Sequence, residues 1–254
     1  MFPAGIEIFP DKIMIFDMGN QRLVFFSYDG QLLRAISTAK HPRIYTISSD
    51  RGANFIAYMP SISEPRKFNE INLINSNFDI TARVAISKRN MMPPNVIVIF
   101  YPTLFFQVNG RGNTVWANQN KYELYESNSN GSVIRKIIKE YKPVELTSAD
   151  EEMLKNEFFE GRPIPPNFKI EIPKHFLPIR NLIINDENEI LVRTFEYGPK
   201  KGNVYDYFDA EGRYIARINF KYRPIVWKKR KLYTLEKNES GYAIIVGHVV
   251  ENPR

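Results

Sequence analysis

The stretch Ile13–Arg34 constrains the fold more than any other part of the sequence. It contains three short segments rich in apolar, β-branched and aromatic side chains, separated by polar turns. The segments are Ile13–Asp17, Leu23–Tyr28 and Leu32–Ile36. Asp29 and Gly30 form a strong hairpin signal between the last two. The stretch therefore predicts three antiparallel strands in one meander.

The turn between the first two strands contains Asp17, Asn20 and Arg22 at a spacing that can lock it. The Asp17 carboxylate can accept hydrogen bonds from turn amides and can pair with Arg22. We expect Gly19 or Asn20 to adopt a positive φ there.

Similar turns recur along the chain. They lie at Tyr28-Asp29-Gly30, Asn75-Ser76-Asn77, Ser129-Asn130-Gly131 and Asp209-Ala210-Glu211-Gly212. The first three are about 47 and 54 residues apart, close to the roughly 40–50 residues of four-stranded propeller repeats. The period predicts an all-β chain made of β-propeller blades, with residues 1–254 as a single domain.

Five blade-like units can be marked, and the last is short of a strand. They cover residues 5–37, 43–87, 104–140, 180–220 and 224–250. The first four each contain four candidate strands. The fifth contains three, which leaves Tyr242–Val250 as an apolar edge open to pairing with another chain.

An inserted segment, residues 147–176, delays the fourth unit and contains the one convincing helix pattern, near residues 148–160. Ser148 and Glu151 have the spacing of a capping box, and Gly161 and Pro163 are expected to end the helix.

Composition limits the available chemistry. The chain has no cysteine, which excludes disulfides, thiolate nucleophiles and cysteine-bound zinc. The net charge is +7, with its densest cluster at Lys228–Lys231. We interpret that cluster as a solvated hairpin turn, with phosphate binding as the alternative. No apolar run reaches the roughly 20 residues of a membrane span, and no signal-peptide pattern is visible, so a soluble chain is expected.

Three segments resemble bacterial six-bladed β-propeller proteins related to NHL repeats. They are Phe2-Pro3-Ala4-Gly5-Ile6, IFDMGNQRLVFFSYDGQLLR and VYDYFDAEGRYIARINF. The resemblance implies six blades and a periplasmic or cell-surface location. Because five units are visible, we expect an N-terminal blade to be missing from this chain. The alternative is a ring closed by five blades.

No catalytic or metal-binding motif is apparent. His41, His175 and His248 are scattered without ligand spacing, and there is no G-x-S-x-G motif. Asn109-Gly110-Arg111-Gly112 and Asp186-Glu187-Asn188-Glu189 both fit strand turns better than nucleotide or calcium loops. No cofactor is predicted.

The candidate ligand-binding residues are those that a propeller would place at second-strand ends and adjacent turns. They are Asp17, Asn20, Arg22, Asn118 and Arg193. Turn stabilisation is an equally good interpretation of the first three, and Arg193 is the best candidate for contacting a polar ligand. Trp116 fits the core better.

The favoured hypothesis is a non-catalytic ligand- or protein-binding scaffold of the bacterial cell envelope. A lactonase or lyase with a divalent metal in the channel is the alternative from the enzyme class. A nucleic-acid-binding propeller is a further one, which would need a continuous basic face.

Overall fold

The computed structural model describes residues 3–41, 43–52, 54–89, 93–99, 101–159, 162–163, 166–198 and 202–250. Their strands form four four-stranded antiparallel sheets, one three-stranded antiparallel sheet and one short parallel pair. Each of the five larger sheets is a meander in which consecutive strands pair, as in a propeller blade. The all-β blade prediction is confirmed, including the three strands of the last unit.

The strands of the first three sheets follow the chain order. Sheet 1 contains β1 (Pro3–Ile8), β2 (Ile13–Asp17), β3 (Arg22–Phe26) and β4 (Leu32–Ser37). Sheet 2 contains β5 (Thr46–Ser49), β6 (Phe55–Pro60), β7 (Phe68–Ile74) and β8 (Ile80–Lys88). After β9 (Val96–Val98), sheet 3 contains β10 (Leu104–Val108), β11 (Thr114–Asn118), β12 (Glu123–Ser127) and β13 (Val133–Ile138).

A helical segment precedes the last two sheets. It comprises α1 (Ser148–Phe159) and β14 (Lys169–Glu171). Sheet 4 contains β15 (Asn181–Ile184), β16 (Ile190–Gly198), β17 (Gly202–Phe208) and β18 (Tyr214–Phe220). Sheet 5 contains β19 (Pro224–Lys228), β20 (Lys231–Lys237) and β21 (Ala243–Val249).

The chain divides into two compact units. The first comprises Met1–Arg89, Leu104–Ala117 and Leu124–Lys136, and the second comprises Asn90–Thr103, Asn118–Glu123 and Ile137–Arg254. Sheets 1 and 2 and most of sheet 3 belong to the first unit, and α1 and sheets 4 and 5 belong to the second. A single domain over residues 1–254 and a six-bladed ring both stay predictions.

Alternating apolar residues build the core of the first unit. Met14 and Phe16 on β2 and Leu23 and Phe25 on β3 pack against residues of sheet 2. Phe16 is almost fully buried, which contributes about 1.5–3 kcal/mol relative to exposure. A second cluster joins sheet 2 to β10 of sheet 3. Because strand side chains alternate with period two, one face of each strand reaches these clusters.

Among its described residues, the second unit contains two hydrophobic clusters. Trp227 and Leu232 of sheet 5 pack against Leu191, Tyr205 and Tyr207 of sheet 4. Leu154 of α1 packs in a separate cluster. Its buried partners are Ile99, Phe176 and Phe195.

The segment between sheets 2 and 3 contains a short strand with a distant partner. Strand β9 pairs in parallel with β14, so that Ile97 lies opposite Ile170. A three-residue pair separated by more than 70 positions leaves no local sequence signal, because its partner is set by the tertiary fold.

The helix begins with a different cap from the predicted one. Thr147 Oγ1 accepts a hydrogen bond from the Asp150 amide at 3.2 Å, and Asp150 Oδ2 accepts one from the Thr147 amide at 2.9 Å. The capping box is thus Thr147–Asp150 rather than Ser148–Glu151. Gly161, predicted to end the helix, and Phe2, at the start of the family-like segment, lie outside the described residues.

Candidate anion-binding site

Arg193 is a buried cation in the middle of sheet 4. It lies on β16 between Asn181 of β15 and Tyr205 of β17, immediately before a break in the β16–β17 register. Only 8% of the residue is exposed. Its Nη2 donates a hydrogen bond to Asn203 Oδ1 at 2.7 Å. A strand irregularity of this kind re-aims side chains, and such irregularities are common beside functional sites.

The charge of Arg193 is opposed by neighbouring cations more than it is supported by carboxylates, of which Glu157 acts to raise its pKa. Burial, and then the neighbouring Arg180, lower the pKa of Arg193 to about 10, and Arg223 acts in the same direction. Among the described residues, no Asp or Glu lies within ion-pair distance of its guanidinium. A buried charge without a counter-ion is costly, so the site is electrostatically suited to an incoming anion.

Arg180 is held next to Arg193 by the backbone. The Arg180 amide donates to the Arg193 carbonyl at 2.7 Å, and Gln119 Nε2 donates to the Arg180 carbonyl at 3.1 Å. The Arg180 guanidinium pairs with Glu157 of α1 and lies 5.5 Å from the centroid of the Phe195 ring. The inserted helix therefore contributes one acid to the rim of the site.

Asn203 is fixed by the tight start of β17. Gly202 has φ +63°, and a Cβ at that position would lie 2.4 Å from the Phe220 carbonyl oxygen. Asn203 Nδ2 donates to the same oxygen at 3.4 Å, which orients its Oδ1 toward Arg193. Only glycine allows this close approach of β17 to the end of β18.

This arrangement can bind a carboxylate or a phosphate. The planar Arg193 guanidinium has further N–H donors beyond the one used by Asn203, and guanidinium groups bind such anions through paired hydrogen bonds. Tyr205, opposite Arg193, is also buried, and burial raises its pKa, so its hydroxyl stays neutral at physiological pH.

The predicted turn residues Asp17, Asn20 and Arg22 lie together in the first unit, where they form hydrogen bonds with one another. Asp17 is fully buried. Its Oδ2 accepts from Asn20 Nδ2 at 2.7 Å and from Arg22 Nε at 3.2 Å, and its Oδ1 accepts from the Asn20 amide at 3.3 Å. The positive φ falls on Gln21, at 47°, and not on Gly19 or Asn20. These contacts favour turn stabilisation.

Asn118 is the sequence neighbour of Gln119, a residue that contacts Arg180. Its Oδ1 accepts from the Asn120 amide at 3.2 Å, while the next residue, Gln119, contacts Arg180. Sequence reasoning proposed Arg193 as a candidate and did not point to its neighbours Gln119, Arg180 and Asn203, and a ligand-binding role for Arg193 stays a prediction. Trp116 is partly buried, stacks on Tyr125 at 4.3 Å and donates to Ser127.

A second charged cluster in the second unit is internally neutralised. Asp206 is fully buried, accepts from Tyr122 OH at 2.7 Å and from Arg217 Nε at 3.0 Å, and lies 3.4 Å from Lys139 Nζ. Burial, and then Asp206, raise the pKa of Tyr122. Arg217 also pairs with Glu196 at 3.1 Å. Acids and bases are matched here, which favours a structural role.

Two other groups of polar residues are weaker candidates for a functional site. His248 Nε2 lies 2.9 Å from Thr234 Oγ1 and 3.2 Å from Glu236 Oε1. In the part of the chain that the structure describes, no three His, Asp or Glu side chains are grouped to hold a metal. The Lys228–Lys231 hairpin is tied to the Asp186 turn, because the Lys229 amide donates to Asp186 Oδ1 at 3.1 Å.

A cavity of about 310 Å³ lies between sheets 1 and 2 in the first unit. Its lining includes Phe9, Phe25 and Phe55. The two cations at its wall, Lys12 and Arg34, already lie over the Phe9 and Phe25 rings, at 5.4 Å and 4.4 Å.

Comparison with known proteins supports the β-propeller fold but does not assign the chain to a family. A Bacteroides fragilis protein that is thought to be exported matches with a TM-score of 0.55 and 9% identity, over 92% of this chain and 66% of that protein. A streptogramin B lyase matches with a TM-score of 0.45 and 8% identity, over 99% and 70%. An inactive virginiamycin B lyase from Staphylococcus aureus with quinupristin matches at 0.45 and 11%, over 99% and 71%.

No family model matches the sequence, and none of the curated proteins matches it. The chain spans about two thirds of the length of the B. fragilis protein. Repeated four-stranded meanders and this structural likeness define the chain as a β-propeller protein with five blade-type sheets. Among the described residues, no helix combines the length and the apolar character needed to cross a bilayer.

Proposed function

We propose that this chain is a non-catalytic binding propeller that captures a carboxylate or phosphate group of its ligand at Arg193. The observation that carries the proposal is the buried Arg193 guanidinium, which has Asn203 as its hydrogen-bond partner and whose positive charge is opposed by Arg180 and Arg223. A bound anion would supply the missing negative charge and offset the desolvation of the arginine.

Binding is favoured over catalysis because the site holds and orients a charge without a group to transfer protons. Arg193, Asn203 and the neutral Tyr205 have no histidine or free carboxylate among their described contacts. General acid–base chemistry would need a group that titrates near the working pH.

The test is a titration of the purified protein with inorganic phosphate and with citrate, followed by calorimetry. Arg193→Gln removes the charge and keeps an amide, and Arg213→Gln removes an exposed arginine just before β18 as a control. We expect saturable binding that weakens at least about tenfold in Arg193→Gln, one charge-assisted interaction of about 1.4 kcal/mol or more, and is unchanged in Arg213→Gln. Equal affinities in the two variants would contradict the proposal.

We place this binding propeller in the bacterial cell envelope. The B. fragilis protein that shares the fold is thought to be exported, and the family-like segments named above point the same way. Fractionation of the native host should find the protein in the periplasm or at the cell surface. A purely cytoplasmic pool would contradict that location and leave the anion site intact.

The metal-dependent lactonase or lyase stays an alternative without a supporting observation in the described residues. Metal analysis of the purified protein and a turnover screen with cyclic esters test it directly. Nucleic-acid binding would show a steep loss of affinity with added salt.

A further inference from the structure

The cavity between sheets 1 and 2 combines aromatic rings with cations. Its volume of about 310 Å³ lies at the lower end of the roughly 300–1,000 Å³ that is usual for small-molecule sites. Phe9, Phe25 and Phe55 supply the rings, and Lys12 and Arg34 supply the charges. Among the described residues, no Asp or Glu lines the cavity. The lining is therefore apolar with an excess of positive charge.

The strand register of sheet 1 directs Arg34 into this cavity. Phe25 of β3 lies directly opposite Arg34 of β4, and cross-strand partners project from the same face of a sheet. Phe25 belongs to the core that sheet 1 shares with sheet 2, so Arg34 lies on that side of sheet 1 as well. The central carbon of its guanidinium is 4.4 Å from the centroid of the Phe25 ring.

The Arg34 guanidinium still has hydrogen-bond donors to offer. Its contact with the Phe25 ring uses the charge of the group, and the N–H groups, which lie in the plane of the guanidinium, remain able to donate. In the part of the chain that the structure describes, this guanidinium forms no hydrogen bond and no ion pair. An anion at the cavity wall would find these donors unused.

The acids that lie next to the lining residues in the sequence already have partners. Asp11 pairs with Lys12 at 3.1 Å, an exposed ion pair of the weak kind that a ligand can displace. Asp50 Oδ1 accepts a hydrogen bond from the Gly52 amide at 2.8 Å, and Asp79 pairs with a lysine outside the lining. None of these three acids neutralises Arg34.

We propose that this cavity binds a small aromatic carboxylate. The ring of the ligand packs among the three phenylalanines, because aromatic rings favour edge-to-face and offset contacts with one another. The carboxylate lies at the wall and accepts paired hydrogen bonds from Arg34, with Lys12 as the second cation. The rings and the cations of the lining are then used together. This site is separate from the anion site at Arg193, and its ligand is distinguished by the aromatic ring.

Calorimetric titration of the full chain with phenylacetate tests the proposal. Acetate has the same charge without the ring, and benzyl alcohol has the ring without the charge. We expect saturable binding of phenylacetate that is at least about tenfold tighter than that of either control compound. Acetate or benzyl alcohol binding as tightly as phenylacetate would overturn the proposal, and so would a lack of saturable phenylacetate binding.

Substitutions in the lining place the bound phenylacetate. Arg34→Gln should weaken its binding at least about tenfold, and Arg34→Lys, which keeps the charge but not the planar group, should fall between Arg34→Gln and wild type. Phe9→Leu stays apolar but loses a ring, so it should also weaken binding. Arg213→Gln, which removes an exposed arginine of the second unit, should have no effect. Circular dichroism checks that each variant folds.

Arg193→Gln distinguishes the two proposed sites. Weaker phenylacetate binding in Arg34→Gln, together with weaker phosphate binding in Arg193→Gln, would show that they are separate. If phosphate does not bind at all, the anion site fails, whereas the cavity is still judged by phenylacetate. Phenylacetate binding that is lost in Arg193→Gln and kept in Arg34→Gln would overturn the cavity proposal.

Discussion

At the scale of single residues, sheet 4 contains two arginines with opposite electrostatic surroundings. Arg193 is buried near other cations, and hydrogen bonding to Asp206 raises the pKa of Arg217. Arg217 therefore stabilises the folded chain through its carboxylate partner. Burial of Arg193 opposes its charged form, and under the proposed function an anionic ligand would offset that cost.

Replacing these two arginines by methionine should separate the two cases in urea unfolding. Arg193→Met should change the free energy of unfolding by less than about 1 kcal/mol, because relief of desolvation offsets the lost partner of Asn203. Arg217→Met should cost about 2–3 kcal/mol, less than for a fully buried pair, since Arg217 is 39% exposed and Lys139 still faces Asp206. A loss above 3 kcal/mol in Arg193→Met would mean that Arg193 is structural.

Glu7 makes stability depend on pH. Its Oε2 accepts from the Ser49 amide at 2.9 Å, and burial raises its pKa above the ordinary 4.5. Between 4.5 and the raised value the folded state binds more protons than the unfolded state, so this contribution to stability falls as pH rises. Glu7→Gln should therefore gain on wild type from about pH 4.5 upward and level off above the folded pKa. A pH-independent difference in melting temperature would contradict this.

At the scale of elements, short polar contacts decide where strands and the helix begin. Thr147 and Asp150 exchange hydrogen bonds at the start of α1, and Gly202 lets β17 start against the end of β18. At the helix start, two side chains satisfy backbone amides that the helix itself leaves unpaired. At Gly202, the missing side chain lets two strands approach closely. The elements that position Arg193 depend on both starts, since Glu157 comes from α1 and Asn203 from β17.

The helix cap can be tested by two neighbouring alanine substitutions. Thr147→Ala removes the hydroxyl that accepts from the Asp150 amide and should lower the free energy of unfolding by about 1 kcal/mol. Ser148→Ala, the control, should be neutral within about 0.5 kcal/mol. The reverse order in thermal denaturation would restore Ser148 as the cap.

Gly202→Ala should strongly destabilise sheet 4. The new Cβ would collide with the Phe220 carbonyl oxygen at a residue of positive φ, so β17 must shift. Gly30→Ala is the control, because Gly30 also has positive φ but has open space around its Cβ position. The control isolates the conformational cost of about 1–2 kcal/mol, and Gly202→Ala should exceed it in urea unfolding and also weaken phosphate binding.

At the scale of the whole molecule, sheets with the same strand order have different packing environments. Sheets 2 and 4 share cores with a neighbour in their own unit, while exposed apolar side chains occur on sheets 1 and 5. If the chain binds a ligand as proposed, that ligand shifts its apparent stability by mass action.

An anion that binds the folded chain should raise its melting temperature. At a phosphate concentration a hundred times the dissociation constant, the stabilisation should approach about 2.7 kcal/mol. Phosphate also stabilises folded proteins in general, without binding at a site. The same phosphate series with Arg193→Gln is therefore the reference. An equal rise in both proteins would indicate a general salt effect and no site.

The sequence alone determined the repeated meanders, the turn at Asp17 and the short last sheet. Period-two alternation and turn chemistry act over a few residues, so they are visible in the printed chain. The sequence also proposed Arg193 as a candidate, but it did not indicate which residues surround it. The tertiary structure decided that Arg193 is buried next to Arg180 and Asn203, with no described carboxylate within ion-pair distance. It also decided that β9 pairs with β14. Burial, electrostatic environment and parallel pairing depend on which distant segments meet, and no local pattern encodes that.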